Sequence, residues 1–175
     1  MIMTRPPSAA LPLAHLVLRL LIFLNWLTGA AIFILLVAMP TRLWIMNTLN
    51  LSPGWEADRM VFALRLIAVI GLVTIPINYV FLRGLFDIVK TVSAGDPFVA
   101  ANACRMRAMA WTLLILQLLS LVVGGIANSV STPAHPLHID AGFSVTGWLG
   151  VLFTFLLAHV FAEGARMRAD LEGTI

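Results

Sequence analysis

Four apolar runs, each about as long as a bilayer is thick, leave this chain few ways to fold. They cover residues 18–40, 61–82, 108–130 and 141–162. The first carries no charge after Arg19, and the second none after Arg65. At 1.5 Å of rise per helical residue, roughly 20 residues cross a hydrocarbon core of about 30 Å. Transmembrane strands are excluded, because the runs are twice a barrel strand's length and lack alternating polarity. Only 11% of the residues are charged and 61% are hydrophobic. A soluble domain carries roughly 25% charged residues to face water, so most of this surface must face lipid. The first run is longer than the 7–15 residues of a cleavable signal core, and a retained helix is expected. The pattern predicts a single all-α transmembrane domain, a four-helix bundle.

The positive-inside rule sets the expected orientation. Arg5, Arg19, Arg83, Lys90, Arg105, Arg107, Arg166 and Arg168 fall on one side, and Arg42, Arg59 and Arg65 on the other. Both termini and the connection between helices 2 and 3 are therefore expected in the cytoplasm. A net charge of +3 could point to nucleic acid. The basic residues, however, lie in short segments between apolar runs, and no direct nucleic-acid contact is expected.

The connections differ in kind. Residues 41–59 read as an outer loop, with turn signals at Asn50 and Ser52-Pro53-Gly54 and with Trp44 and Trp55 at headgroup level. Residues 131–140, with two prolines, form a short second outer loop. After helix 2, Leu85, Phe86, Val89 and Val92 recur at helical spacing while Arg83, Asp87 and Lys90 take the wet face, pairing at i,i+3 and i,i+4. The helix should stop at Gly95, suited to a left-handed C-terminal position. Asp96 is expected as the next N-cap and Pro97 as the first helical residue, which makes a cytoplasmic helical hairpin.

Polar residues inside apolar runs are the first candidates for function, because polarity is costly there. Asn25, Asn78, Gln117 and Thr154 fall within about two helical turns of one depth. They form a candidate intramembrane layer, and Pro76 stands beside it in helix 2. Interhelical hydrogen bonding is the simpler reading, and a ligand or transport site the sharper one. No acid or base shares the layer, so a proton relay is not expected.

Other candidates are weaker. His15 and His159 lie near the inner face, where a haem could bridge them, although wet-tipped interfacial histidines explain both. His135, His138 and Asp140 offer three donors in the second outer loop, too constrained by Pro136 to close a metal site. Cys104 is the only cysteine, which excludes an internal disulfide, a CxxC pair and a cysteine zinc site. The acids sit beside basic residues, Glu163 with Arg166 and Arg166 with Asp170, and no phosphate loop, HExxH or GxSxG is present. No catalytic group, metal or cofactor is expected. A faint echo, Val80-Phe81-x-x-Gly84 and Val160-Phe161-x-x-Gly164, arises easily by chance in apolar sequence; a duplicated helix pair is the alternative.

Two stretches carry a resemblance. Gly95-Asp96-Pro97-Phe98, then Asn102 and Arg105-Met106-Arg107, is similar to a G-x-P-F…N…L-R motif. Phe161-x-x-Gly164-x-x-Met167-Arg168-x-Asp170 and the terminal Thr174-Ile175 are similar to an F-x-x-G-x-x-L-x-x-D/E…T-V ending, with Met167 in place of leucine. The chain thus resembles a family of small bacterial four-helix membrane proteins of unknown function. Members are often encoded beside a small helix-turn-helix regulator. The resemblance implies a bacterial inner-membrane protein whose cytoplasmic face meets a protein partner in a regulatory or signalling role, and the lack of catalytic motifs makes a non-enzymatic protein the expectation. Gly95, Asp96, Pro97, Phe98, Asn102, Arg105, Phe161, Gly164, Arg168 and Asp170 are then the candidate partner surface. A small transporter or immunity-type protein using the polar layer is the alternative.

Fusions to a reporter active only outside the cytoplasm test the topology. Reporters should be silent after Gly95 and Ile175 and active after Pro53 and Pro136; activity at Ile175 overturns the orientation.

Overall fold

The computed structural model describes residues 10–38, 54–132 and 139–172, and all of the long elements among them are α-helices. They are α1 (Ala10–Ala38), α2 (Trp55–Ser93), α3 (Ala100–Val130) and α4 (Val145–Glu172). All four are long and apolar enough to cross a membrane. This is the architecture of a multi-pass membrane protein. At 39 residues α2 is about 58 Å long, nearly twice the hydrocarbon thickness, so it projects well beyond the bilayer.

The helices pack in chain order, α1 on α2, α2 on α3 and α3 on α4, and close backbone approach is confined to these pairs among the described residues. Neighbours are antiparallel: Asn25 meets Ile75, Gly84 meets Met109, and Gly147 meets Gln117. The start of α1, the α2–α3 connection and the end of α4 therefore share one end of the molecule, the hairpin end. Both apolar clusters lie there. Leu18, Leu82 and Phe86 join α1 to α2, whereas Ile88, Met106, Met109 and Ala158 join α2, α3 and α4. Phe81 and Leu85 of α2 pack against both clusters, which makes α2 the shared wall.

Several boundaries differ from the sequence expectation. α1 begins at Ala10, not near residue 18, so Arg19 lies inside the helix. α2 begins at Trp55, so Trp55, Glu56 and Arg59 are helical and not loop. Two acids in its first turn, Glu56 and Asp58, suit a helix N-terminus. α4 begins at Val145, not 141. Gly142 takes a left-handed φ of 129°, which breaks the helix, and Ser144 caps the one that follows. The Gly147 amide donates to Ser144 Oγ at 3.2 Å, and the Trp148 amide to Ser144 O at 3.0 Å. The expectations for Trp44, Asn50, Ser52, Pro53, His135 and His138 fall outside the described residues.

The largest correction concerns Asp96 and Pro97. Neither starts α3, whose N-cap is Val99. The Gly95 amide donates to Val92 O at 3.1 Å and the Asp96 amide to Thr91 O at 3.0 Å. With Gly95 at φ 83° this is a Schellman motif closing α2, so the Asp96 backbone terminates the preceding helix instead of capping the next.

Four glycines, Gly84, Gly124, Gly147 and Gly164, let neighbours approach more closely than a Cβ would allow. At Gly124 of α3 the opposing atoms are backbone, Ala141 O and Gly142 Cα, each 2.7 Å from where a Cβ would stand. Ser120 Oγ adds a bond, accepting from the Gly142 amide at 3.1 Å. Gly84 and Gly147 instead face the movable side chains of Met109 and Gln117. Gly124→Ala should therefore lower stability by about 1–3 kcal/mol through overpacking. Gly125→Ala, which meets nothing within 4 Å, should be neutral or stabilising. Thermal unfolding of the two variants in detergent checks this, and equal effects would refute the close packing.

Candidate functional site

The two motif-bearing stretches meet. Phe98, in the connection before α3, lies against α4 where Gly164 leaves room: a Cβ there would stand 2.8 Å from Phe98 Cδ1. The Phe98 ring sits 5.5 Å from that of Phe161, one turn earlier on α4. Beside them Arg168 of α4 pairs with Asp96 through a charge-assisted hydrogen bond. Both side chains are well exposed, at 45% and 39%, so solvent screens the pair to at most about 1 kcal/mol. The aromatic packing must therefore dominate the junction.

Asn102 holds the connection from beneath. Among the described residues it is the largest fully buried side chain, at 0% exposure. Its Nδ2 donates to Thr91 Oγ1 at 2.6 Å and to Pro97 O at 2.9 Å, while Oδ1 accepts from Arg105 Nη1 at 2.8 Å. One amide thus ties the end of α2, the connection and the first turns of α3. The motif Gly95-x-Pro97-Phe98…Asn102…Arg105 reads physically as a helix stop, a rigid link, an aromatic key and its lock. Asp170 lies further along α4, exposed.

The echo between α2 and α4 also acquires a packing reason. Both helices flank α3 and run the same way. Phe81 and Phe161 pack against the same cluster, and Gly84 and Gly164 each admit one bulky side chain from the α3 side, Met109 and Phe98. The same demand on both flanks of α3 calls for the same residues, whatever their history.

The intramembrane polar residues are not all brought together. Asn25 and Asn78 come together: Asn78 Nδ2 donates to Asn25 Oδ1 at 2.9 Å, and Asn25 Nδ2 to Ile75 O at 3.1 Å, next to Pro76. Gln117 turns the other way, onto Gly147, with its Nε2 3.4 Å from Ser144 O. Thr154 donates to Gly150 O within its own helix at 2.7 Å. Because helices pack pairwise in chain order, the Asn25–Asn78 pair and Gln117 bond at separate interfaces, and Thr154 is satisfied within its own helix. The Asn25–Asn78 pair borders a cavity of about 530 Å³ between α1 and α2, lined also by Leu21, Thr28, Thr74 and Leu82.

His15 and His159 are not brought together. His15 packs edge-on to Phe86 at 5.2 Å and lies 3.4 Å from Ser93 Oγ, both on α2, whereas His159 is exposed on α4. Arg83 pairs with Asp87 at 3.3 Å and Arg166 with Glu163 at 3.1 Å, at the predicted helical spacings. Sequence reasoning set Asn102 on the partner surface, whereas it is fully buried in an internal network, and it missed the group around Phe86. Three cations surround that buried ring: Arg83 at 5.6 Å, Lys90 at 5.9 Å and Arg19 at 6.0 Å from its centroid. The spacing of Arg83, Phe86 and Lys90 was a usable signal, but Arg19 is remote in sequence.

Residues 50–175 match a family described as protein of unknown function (DUF2975), a stretch that holds both motifs and α2 to α4. The chain belongs to this family. No curated protein and no solved structure matches it. Within the family's matched stretch, the hairpin junction is the most densely connected polar and aromatic cluster described above.

Substitutions separate its two kinds of polar residue. Asn102→Leu should cost about 1–3 kcal/mol for each buried group it orphans. Gln117→Leu should cost no more than about 0.6 kcal/mol, the usual worth of a membrane hydrogen bond. Chemical or thermal unfolding of the two proteins checks the order, and a reversed ranking would refute the assignment of Asn102 as the lock.

Proposed function

We propose that this is a non-enzymatic protein of the bacterial inner membrane, with both termini in the cytoplasm, whose hairpin end docks a small cytoplasmic protein in a regulatory role. One observation carries the reading: the α2–α3 connection and the end of α4, separate in sequence, are locked into one surface through Phe98, Gly164 and the Asp96–Arg168 pair. Lipid packing alone gives no reason to build such a junction beyond the spans.

The surface also keeps apolar residues in the open. Val92, Phe98, Met167 and Leu171 stay exposed among the charges of this end. A cluster of apolar side chains rimmed by charge marks a protein contact more often than a solvated face. The preference of Lys and Arg for this end favours the cytoplasmic side. The bacterial setting and the regulatory partner come from the resemblance noted in the sequence. The transport alternative is less well supported, since Asn25 and Asn78 bond each other, Gln117 bonds at a different interface and Thr154 bonds within its own helix.

Photo-crosslinking in the native cell tests docking. A benzophenone amino acid at Met167 or Leu171 should yield one discrete protein adduct, and the same probe at Trp55, on the opposite end, should not. Adding Arg168→Glu to the Leu171 probe should reduce that adduct at least fivefold. Absence of a discrete adduct, or one indifferent to Arg168, overturns the proposal.

A further inference from the structure

The group around Phe86 lies on the other flank of the hairpin end, away from the Phe98–Gly164 junction. Leu18 of α1 and Leu82 of α2 are buried in one cluster with Phe86. Arg19 and Arg83 follow those leucines directly in sequence, so they stand at one depth. They are also the first charges met on leaving the apolar runs 20–40 and 66–82 at this end. That depth is the edge of the hydrocarbon. Lys90 lies seven residues beyond Arg83, about 10 Å further out along the helix, across the headgroup layer.

Three cations within 6.0 Å of one ring centroid repel each other. The ring face attracts each one by only about 0.5–1 kcal/mol at exposed sites. Asp87 answers Arg83 at 3.3 Å, but among the described residues no carboxylate pairs with Arg19 or Lys90. The site therefore carries two uncompensated positive charges at headgroup level. Directly above it the cavity between α1 and α2 opens from Leu82 and Leu21 towards the membrane interior. Its polar lining is already satisfied, with Asn78 bonded to Asn25, Thr28 to Leu24 O at 2.9 Å and Thr74 to Gly71 O at 2.7 Å. A wall whose donors are internally occupied accepts a hydrocarbon chain without leaving hydrogen bonds unmade.

We propose that the α1–α2 face binds one anionic phospholipid, with its phosphate against Arg19, Arg83 and Lys90 and an acyl chain in the groove beside Asn25 and Asn78. Basic pockets between transmembrane helices at headgroup depth suit such headgroups, and charge complementarity selects the anionic class. The groove selects a lipid over a free phosphate. Stacked on the buried Phe86, the cations are held in place before the lipid arrives, which lowers the ordering cost of binding.

Native mass spectrometry of the full-length protein in detergent tests this, with phosphatidylglycerol and phosphatidylcholine of identical acyl chains as probes. The anionic lipid should bind at least tenfold tighter. Arg19→Gln with Lys90→Gln should weaken it about thirtyfold, and either change alone about fivefold. Arg107→Gln with Arg166→Gln, which removes the same charge elsewhere at this end, should leave it unchanged. Thr28→Trp, which fills the groove from an exposed position, should weaken both lipids at least fivefold. Equal binding of the two lipids, or an equal loss in the Arg107/Arg166 protein, would overturn the site as a local one. Full displacement of phosphatidylglycerol by millimolar inorganic phosphate would overturn a lipid as its occupant.

Discussion

Lipid removes the force that assembles a soluble bundle. A leucine facing another helix gains little over a leucine facing an acyl chain, so apolar helices in a membrane are held by close packing and by polar groups that would otherwise lie unbonded in hydrocarbon. The rest of this structure follows from that constraint. α1 meets α2 where Gly29 admits Ile75 and Asn25 bonds both Asn78 and Ile75 O. α2 meets α3 at Gly84 and Met109, and α3 meets α4 at Gln117 on Gly147 and at Gly124 on the backbone of 141–142. Each interface has its own small residue, and most have their own polar contact.

The same physics explains why the apolar clusters concentrate at one end. Beyond the bilayer the hydrophobic effect returns, and α2, α3 and α4 continue past the hydrocarbon with apolar stripes that water would otherwise wet. Leu85, Ile88, Met106, Phe161 and their neighbours pack there as a small soluble core would. Asn102 then fixes the hairpin geometry, since a fully buried amide tolerates only the arrangement that satisfies it. The hairpin end thus combines rigid construction with exposed apolar and charged side chains, a combination suited to recognition. The two proposals divide this end between them: lipid on the α1–α2 flank, protein on the α2–α4 flank.

Much of the architecture was legible from composition and period alone. Charge-free runs of bilayer length give helices and their number, because no other structure satisfies the backbone in lipid. The stop at Gly95 was legible too, since few residues but glycine adopt a left-handed φ cheaply. Helix starts were less so. Asp96 carries a strong capping signal, yet its amide is taken by the Schellman motif of α2, and its carboxylate by Arg168, 72 residues away. Ser144 was an unnoticed cap because the apolar run before it already looked helical.

For the candidate sites, the sequence by itself determined which residue types would be present and at what depth: amides within the spans, cations at the hydrocarbon edge, glycine and phenylalanine at the ends of helices 2 and 4. Depth follows from counting along a helix. Only the tertiary structure decided which of them meet. Asn25 found Asn78 but neither found Gln117, Phe98 found Gly164, and Arg19 joined Arg83 and Lys90 around Phe86. Depth is a one-dimensional quantity written into each helix, whereas partnership depends on helix rotation and on the order in which helices pack. Those are fixed by contacts between residues far apart in the chain, and no single span records them.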